Sequence, residues 1–221
     1  MIVLSAAALG SPHQPETFDI ELDRVFEEAL PNRMLPGHRG WVVASRRAMA
    51  GASSVVDMVG GWACDAQSLT ILDAPLWSCQ GIAIARYPGG EPAVPTAVPT
   101  TGSPLAALRA ALAREELRIL AVAATWCHDF LSSRRSGSQR LSSHPAVKLA
   151  LARLTADVWV LRAADPVSTI QTPEGRAWLI DEVDSAANQV IKLAGGRAML
   201  RGHAVQLQAL LLLLNRTYLE G

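Results

Sequence analysis

Residues 105–126 (LAALRAALAREELRILAVAATW), 134–164 (RRSGSQRLSSHPAVKLALARLTADVWVLRAA) and 185–199 (SAANQVIKLAGGRAM) decide how this sequence folds. Apolar residues recur in them at intervals of three and four, the spacing that lays one apolar stripe along an α-helix. The first stripe predicts a helix over Leu105 to Leu131. The second starts at Pro145, whose fixed φ suits a first helical turn, with Ser143 or His144 as cap. Val147, Leu151, Leu154, Val158 and Leu161 share its face, and it stops near Asp165-Pro166. A third helix, roughly Pro173 to Leu193, carries Ile180, Val183, Ala187 and Val190 and ends at Gly195-Gly196, a natural C-terminal stop. A fourth is expected from about Ala204 to Leu219.

Four long helices with short connections imply an antiparallel up-and-down bundle. Upstream the composition changes. Residues 88–104, PGGEPAVPTAVPTTGSP, read as an extended linker. They set a boundary near residue 100, between a small region over 1–100 and a bundle over 101–221. In the first region Phe18, Leu22, Val25, Phe26 and Leu30 predict one short amphipathic helix. The stretches WVVASRRAMAGASSVVDMVGGW (41–62) and SLTILDAPLWSCQGIAIARY (68–87) hold short β-branched runs broken by Gly, Pro and Asp, so residues 41–87 read as mostly β. The expected fold class is mainly α: a C-terminal four-helix bundle preceded by a small, reduced β-rich region.

At 221 residues and 50% hydrophobic the chain buries a real core. Its zero formal net charge lacks the basic footprint that holds nucleic acid or an anionic membrane, and neither is expected as a partner. The charge is nonetheless uneven. Residues 1–103 hold 6 basic and 10 acidic side chains, whereas 104–221 hold 14 and 10, a count that scattered solvated arginines explain and that also suits the helical half to an anionic ligand. Cys64, Cys79 and Cys127 form no C-x-x-C pair, which argues against a disulfide framework or zinc site and for a reducing cytoplasm. The opening MIVLSAAALG has no basic flank, and the run Leu210 to Leu214 is far shorter than a bilayer requires, so neither a signal peptide nor a membrane span is expected.

The order and spacing of the three quoted segments resemble the C-terminal domain of the acyl-CoA dehydrogenase family. In that family a first long helix ends in Arg-x-x-Phe-Gly and a Gln-x-x-x-x-Phe-Gln stretch opens the second; Arg134 and Gln139 keep two of those places, and Gly137 and Ser138 replace the phenylalanine and glycine. The family's third helix ends in Gln-x-x-Gly-Gly-x-Gly, and this chain reads Lys192-Leu193-Ala194-Gly195-Gly196-Arg197-Ala198. The resemblance covers about residues 104–221. It implies FAD-dependent removal of two hydrogens from an acyl thioester, with Arg134, Gln139, Lys192, Gly195 and Gly196 near the cofactor's pyrophosphate and adenosine, often across a subunit interface. An arginine pairs bidentately with phosphate, and consecutive glycines let backbone N–H groups approach it.

Two places in the family hold the catalytic carboxylate. One is a glutamate directly before an arginine in the first bundle helix; ungapped alignment from Gln139 puts Leu108-Arg109 there, and a shift of two turns brings Glu115 or Glu116. The other is a Glu-Gly after the fourth helix, and Tyr218-Leu219-Glu220-Gly221 falls within one residue of that spacing. Glu220 is the preferred candidate and Glu116 the second. Complete relatives also have an additional helical domain and a fuller β-barrel, for which about 100 residues stand here, so the resemblance is to a truncated, divergent member. Its flavin site is expected to be completed by a second copy or a larger acyl-CoA dehydrogenase-like partner. An arginine-rich composition, 18 Arg to 2 Lys, fits a high-GC bacterium, and a truncated relative of a metabolic enzyme fits specialised-metabolite biosynthesis. Two other readings stay open: a flavin-free member that cyclises or dehydrates a hydrophobic polyketide-like small molecule, and a non-catalytic partner subunit.

Other constellations read as structural. Trp126-Cys127-His128-Asp129 sets thiol and imidazole side by side, but helix neighbours point about 100° apart and form no dyad. His144 and His203 sit at helix starts and read as caps. Trp41, Trp62, Trp77, Trp126, Trp159 and Trp178 read as core.

Overall fold

The computed structural model describes residues 21–30, 33–74, 77, 81–88, 104–199 and 204–220. Phe18, Cys79, His203, the apolar opening and all but the ends of the linker lie outside them. Two compact units emerge. One comprises residues 21–115, 166–177 and 213–221; the other comprises 1–20, 116–165 and 178–212.

The first unit contains the strands. Helix α1 (Leu22–Ala29) buries Leu22, Val25 and Phe26, the stripe read from the sequence. Strands β1 (Met34–Gly37), β3 (Ser54–Asp57) and β4 (Ala63–Asp65) form one sheet in the order β1-β3-β4, with β1 parallel to β3 in the register Met34↔Ser54. Strands β2 (Trp41–Ser45), β6 (Ile82–Arg86) and β5 (Thr70–Ile71) form an antiparallel sheet in the order β2-β6-β5, with Trp41 opposite Arg86. Consecutive Val42-Val43 and Val55-Val56 are all buried, so these strands are covered on both faces and show no alternation.

Two details differ from the sequence reading. Strand structure begins at Met34 rather than Trp41, and helix α2 (Arg46–Gly51) interrupts the stretch read as β. The cause is a cap: the Ser45 hydroxyl accepts from the Ala48 N–H at 2.9 Å, which starts a helical turn where the valine run ends. Gly37 is needed for close approach, since a Cβ there would lie 2.6 Å from the Tyr87 ring.

The second unit is helical and mostly made of four long segments. Helix α3 (Pro104–Ser133) crosses the division between Glu115 and Glu116; α4 (Pro145–Ala163) follows, then the single turn α5 (Pro166–Thr169) of the first unit, α6 (Pro173–Ala194) and α7 (Ala204–Leu214). The expected apolar faces are the buried ones: Leu151, Leu154, Val158 and Leu161 on α4, and Ile180, Val183, Ala187 and Val190 on α6. Polar side chains tie the helices together. Gln189 donates to Asp157 at 2.7 Å between α6 and α4, and Gln208 donates to Asp184 at 2.8 Å between α7 and α6. The fold is thus mainly α, a four-helix bundle with a β-rich region before it. The fourth helix is α-helical over Ala204–Leu214 and continues as one π-helical turn, Asn215–Leu219, so helical structure reaches the expected end.

Several smaller readings are settled here. Cys127 is buried, its thiol pushed up to about 12 by burial, while the exposed His128 pairs with Asp129 at 3.2 Å, so thiol and imidazole form no dyad. His144 occupies the cap position of α4 without a side-chain bond. Trp159 and Trp41 depart from the core reading: they are 64% and 39% exposed.

Candidate functional site

In the first unit the π-turn after α7 is pinned from two directions. The buried Tyr218 hydroxyl accepts from Val43 N at 3.0 Å and lies 3.0 Å from Pro36 O, to which it donates, with Val43 O at 3.2 Å. Burial raises this phenol well above its ordinary range, so it stays protonated and keeps its donor. At the backbone of the same residue, Arg109 Nε donates to Tyr218 O at 2.9 Å. Glu220, exposed, follows two residues later, its N–H on Asn215 O at 2.8 Å. One of the two places where the resemblance puts a catalytic carboxylate, Leu108-Arg109, is thus bonded through Arg109 to the carbonyl of Tyr218, two residues before the other, Glu220. Leu108 itself is fully buried.

The groups around this turn are mainly cationic. Arg109 is half-buried, and burial first, then the charges of Arg176 and Arg39, lower its proton affinity. His38 is lowered by burial, then by Arg39, against an opposing backbone bond at Thr217, so its imidazole is held neutral. Arg39 is presented by a two-residue turn in which it takes φ 52° and Gly40 takes φ 85°, closed by reciprocal His38 and Trp41 backbone bonds at 2.9 and 3.0 Å. Asp57 is engaged elsewhere, accepting from the Tyr87 hydroxyl and from Val59 and Gly60 N–H.

The two glutamates of α3 have separate surroundings. Glu115 is a structural partner within the first unit, accepting from Glu21 N at 2.8 Å and from Arg24 at 2.9 Å. Glu116, in the second unit, is buried, and desolvation raises its carboxyl well above the ordinary value, which favours the neutral form.

The residues expected near a cofactor lie in the second unit, and all are exposed. Arg134 follows α3, its guanidinium 5.2 Å from the Phe130 ring centroid, and Leu141 N donates to its carbonyl at 2.9 Å. Gln139 stands in a small hairpin, β7 (Arg135–Ser136) with β8 (Gln139–Arg140), where the sequence reading had no element. Lys192 is in the last turn of α6; Gly195 follows at φ 57° and opens a 3-10 turn with Gly196. No atom would meet a Cβ within 4 Å at either glycine, leaving room for a ligand's approach. Arg134 and Gln139 thus stand at the hairpin after α3, and Lys192 and Gly195-Gly196 at the end of α6; arginine, lysine, amide and open glycine backbone are each groups that can bind phosphate.

Sequence reasoning gave Arg109 only as a retained neighbour and passed over Tyr218, His38, Arg39 and Arg176. Of these only Arg39-Gly40 carried a local signal, a turn pair between two apolar runs. The others come together through contacts distant in sequence.

No family model matches this chain, and no curated protein does. It is similar to the crystal structure of a glutaryl-CoA dehydrogenase from Mycobacterium smegmatis in complex with FADH2, with a TM-score of 0.57 and 12% identity over 82% of this chain and 56% of that one. A second likeness, TM-score 0.46 at 12% identity over 83% of this chain and 60% of the other, is to a glutaryl-coenzyme A dehydrogenase in its glutaryl-CoA complex. The chain thus spans little more than half the length of the structures it matches. Coverage of 82% exceeds what residues 104–221 alone provide, so the likeness reaches into the β-rich part, where no motif had been legible. This chain has the fold of an acyl-CoA dehydrogenase.

Proposed function

We propose that the protein is an acyl-CoA dehydrogenase-like oxidoreductase subunit of bacterial specialised metabolism, acting in the cytoplasm on an acyl thioester, with Glu220 as base. The observation that carries this reading is the hydrogen bond from Arg109 Nε to Tyr218 O at 2.9 Å. It anchors the backbone two residues before Glu220 to α3, and the Tyr218 hydroxyl is held between strands of both sheets, at Val43 of β2 and Pro36 of β1. A backbone tied at two points keeps the order that a carboxylate needs in order to meet an α-carbon repeatedly at short range. The arginines and neutral His38 near this turn favour negative charge, whether on the carboxylate or on the enolate-like thioester that forms as the α-proton leaves.

Arg134, Gln139, Lys192, Gly195 and Gly196 would hold the FAD pyrophosphate, the site being completed by a second copy or a larger partner. When bound, FAD supplies the acceptor for the β-hydride. Glu116, buried and held neutral, suits the base role less than the exposed Glu220.

The test is the absorbance of the purified protein in the near-ultraviolet and blue, with and without added FAD, followed by its mass in solution and turnover of acyl-CoA substrates. The flavin band is expected to survive gel filtration in an oligomer. Glu220→Gln should keep that band and lose turnover by about 10²- to 10⁴-fold. A protein that ignores FAD in every assembly, or a Glu220→Gln variant of undiminished turnover, sinks this reading and points to flavin-free chemistry.

A further inference from the structure

Trp126, Phe130 and Arg134 follow one another at four-residue intervals along α3 and just past its end, so they fall on one side of the helix. The rings of Trp126 and Phe130 are stacked, with centroids 5.1 Å apart and planes 5° from parallel. The Arg134 guanidinium carbon lies 5.2 Å from the Phe130 centroid. Trp126 is 5% exposed and Arg134 is exposed, so the ladder runs from the bundle core to solvent. The backbone of Arg134 is fixed separately, by the Leu141 N–H on its carbonyl at 2.9 Å.

An exposed arginine ordinarily samples many rotamers, and ordering it on a ligand costs side-chain entropy. A guanidinium resting on an aromatic face is already restricted. A cation over a ring in this way keeps N–H groups that can form bidentate bonds to phosphate oxygens. Phe130 is in turn restricted by a buried indole on the previous turn. The arrangement exceeds what packing requires, because an exposed arginine at the end of a helix is stable without a ring beneath it.

The geometry points to Phe130 as a positioning residue that holds Arg134 ready for a phosphate-bearing ligand, with Trp126 fixing Phe130. That the ligand at Arg134 is FAD, and the group it meets there a phosphate, rests on the function proposed above; the restriction of Arg134 by Phe130 does not.

The experiment uses the full chain with Phe130→Leu, which keeps apolar bulk but removes the ring, and Phe130→Tyr, which restores it. Thermal melts confirm that both fold. The first readout is the NMR shift of the Arg134 Cδ protons, which a ring face beneath them moves upfield; the shift should vanish in Phe130→Leu and return in Phe130→Tyr. The second is titration with FAD and, separately, with ADP as a pyrophosphate probe. Phe130→Leu should weaken binding about two- to fivefold, the equivalent of a cation–π contact of about 0.5–1 kcal/mol at an exposed site, and Phe130→Tyr should bind as the parent does. An unshifted Arg134 in the parent, or a binding change under about 1.5-fold in Phe130→Leu, overturns the proposal. Binding of ADP without FAD ends the flavin reading and leaves the positioning role to be decided by the ADP series. Binding of neither ends both.

Discussion

Tyr218 is the residue on which the first unit turns. Its hydroxyl answers the Val43 N–H and, by donation, a strand carbonyl, while its carbonyl receives Arg109. Tyr218→Phe leaves the Val43 N–H buried without that acceptor, which should cost about 1–3 kcal/mol, read as a lowered midpoint in urea or heat. A loss below 0.5 kcal/mol would mean that the amide finds another partner. The sequence could not announce this residue. A single tyrosine has no pattern of its own, and its partners stand far upstream, whereas Gly195-Gly196 could be read locally because a left-handed φ after a helix calls for glycine.

Among the elements, legibility followed periodicity. The second long helix was expected to begin at Pro145 and does; the third was expected over 173–193 and spans Pro173–Ala194. Both have many residues over which a stripe can declare itself. Short elements without a stripe did not: α2 and the 135–140 hairpin are set by single hydrogen bonds and turns, which composition averages away. For α2 the decisive group is the Ser45 hydroxyl, which accepts from Ala48 N at 2.9 Å and donates to Asp23 at 2.5 Å. Ser45→Ala should destabilise the first unit by about 1 kcal/mol, with Ser45→Asn or Ser45→Asp recovering part of it through the cap alone. Equal loss in all three would assign the effect to the Asp23 bond instead.

For the molecule as a whole, two buried groups tilt stability with pH in opposite directions. His38 has its folded pKa lowered from 6.5, so its contribution is present above 6.5 and is lost as the pH falls through the lowered value. Glu116 has its folded pKa raised well above 4.5, so its contribution is present below 4.5 and is lost as the pH rises through the raised value. Melts across about pH 4 to 8 should therefore show a flatter loss toward neutrality in Glu116→Gln than in the parent, and His38→Gln should lessen the fall on the acid side. Unchanged profiles would mean that neither group titrates as burial dictates. The Tyr218 contacts with Val43 and Pro36, 175 and 182 residues distant in sequence, have a further consequence for synthesis. At about 5–20 residues per second a ribosome needs on the order of ten seconds or more to pass from those strands to their tyrosine. Until then the nascent sheet has an incomplete interior, and this interval is when a chaperone or a protease would meet it.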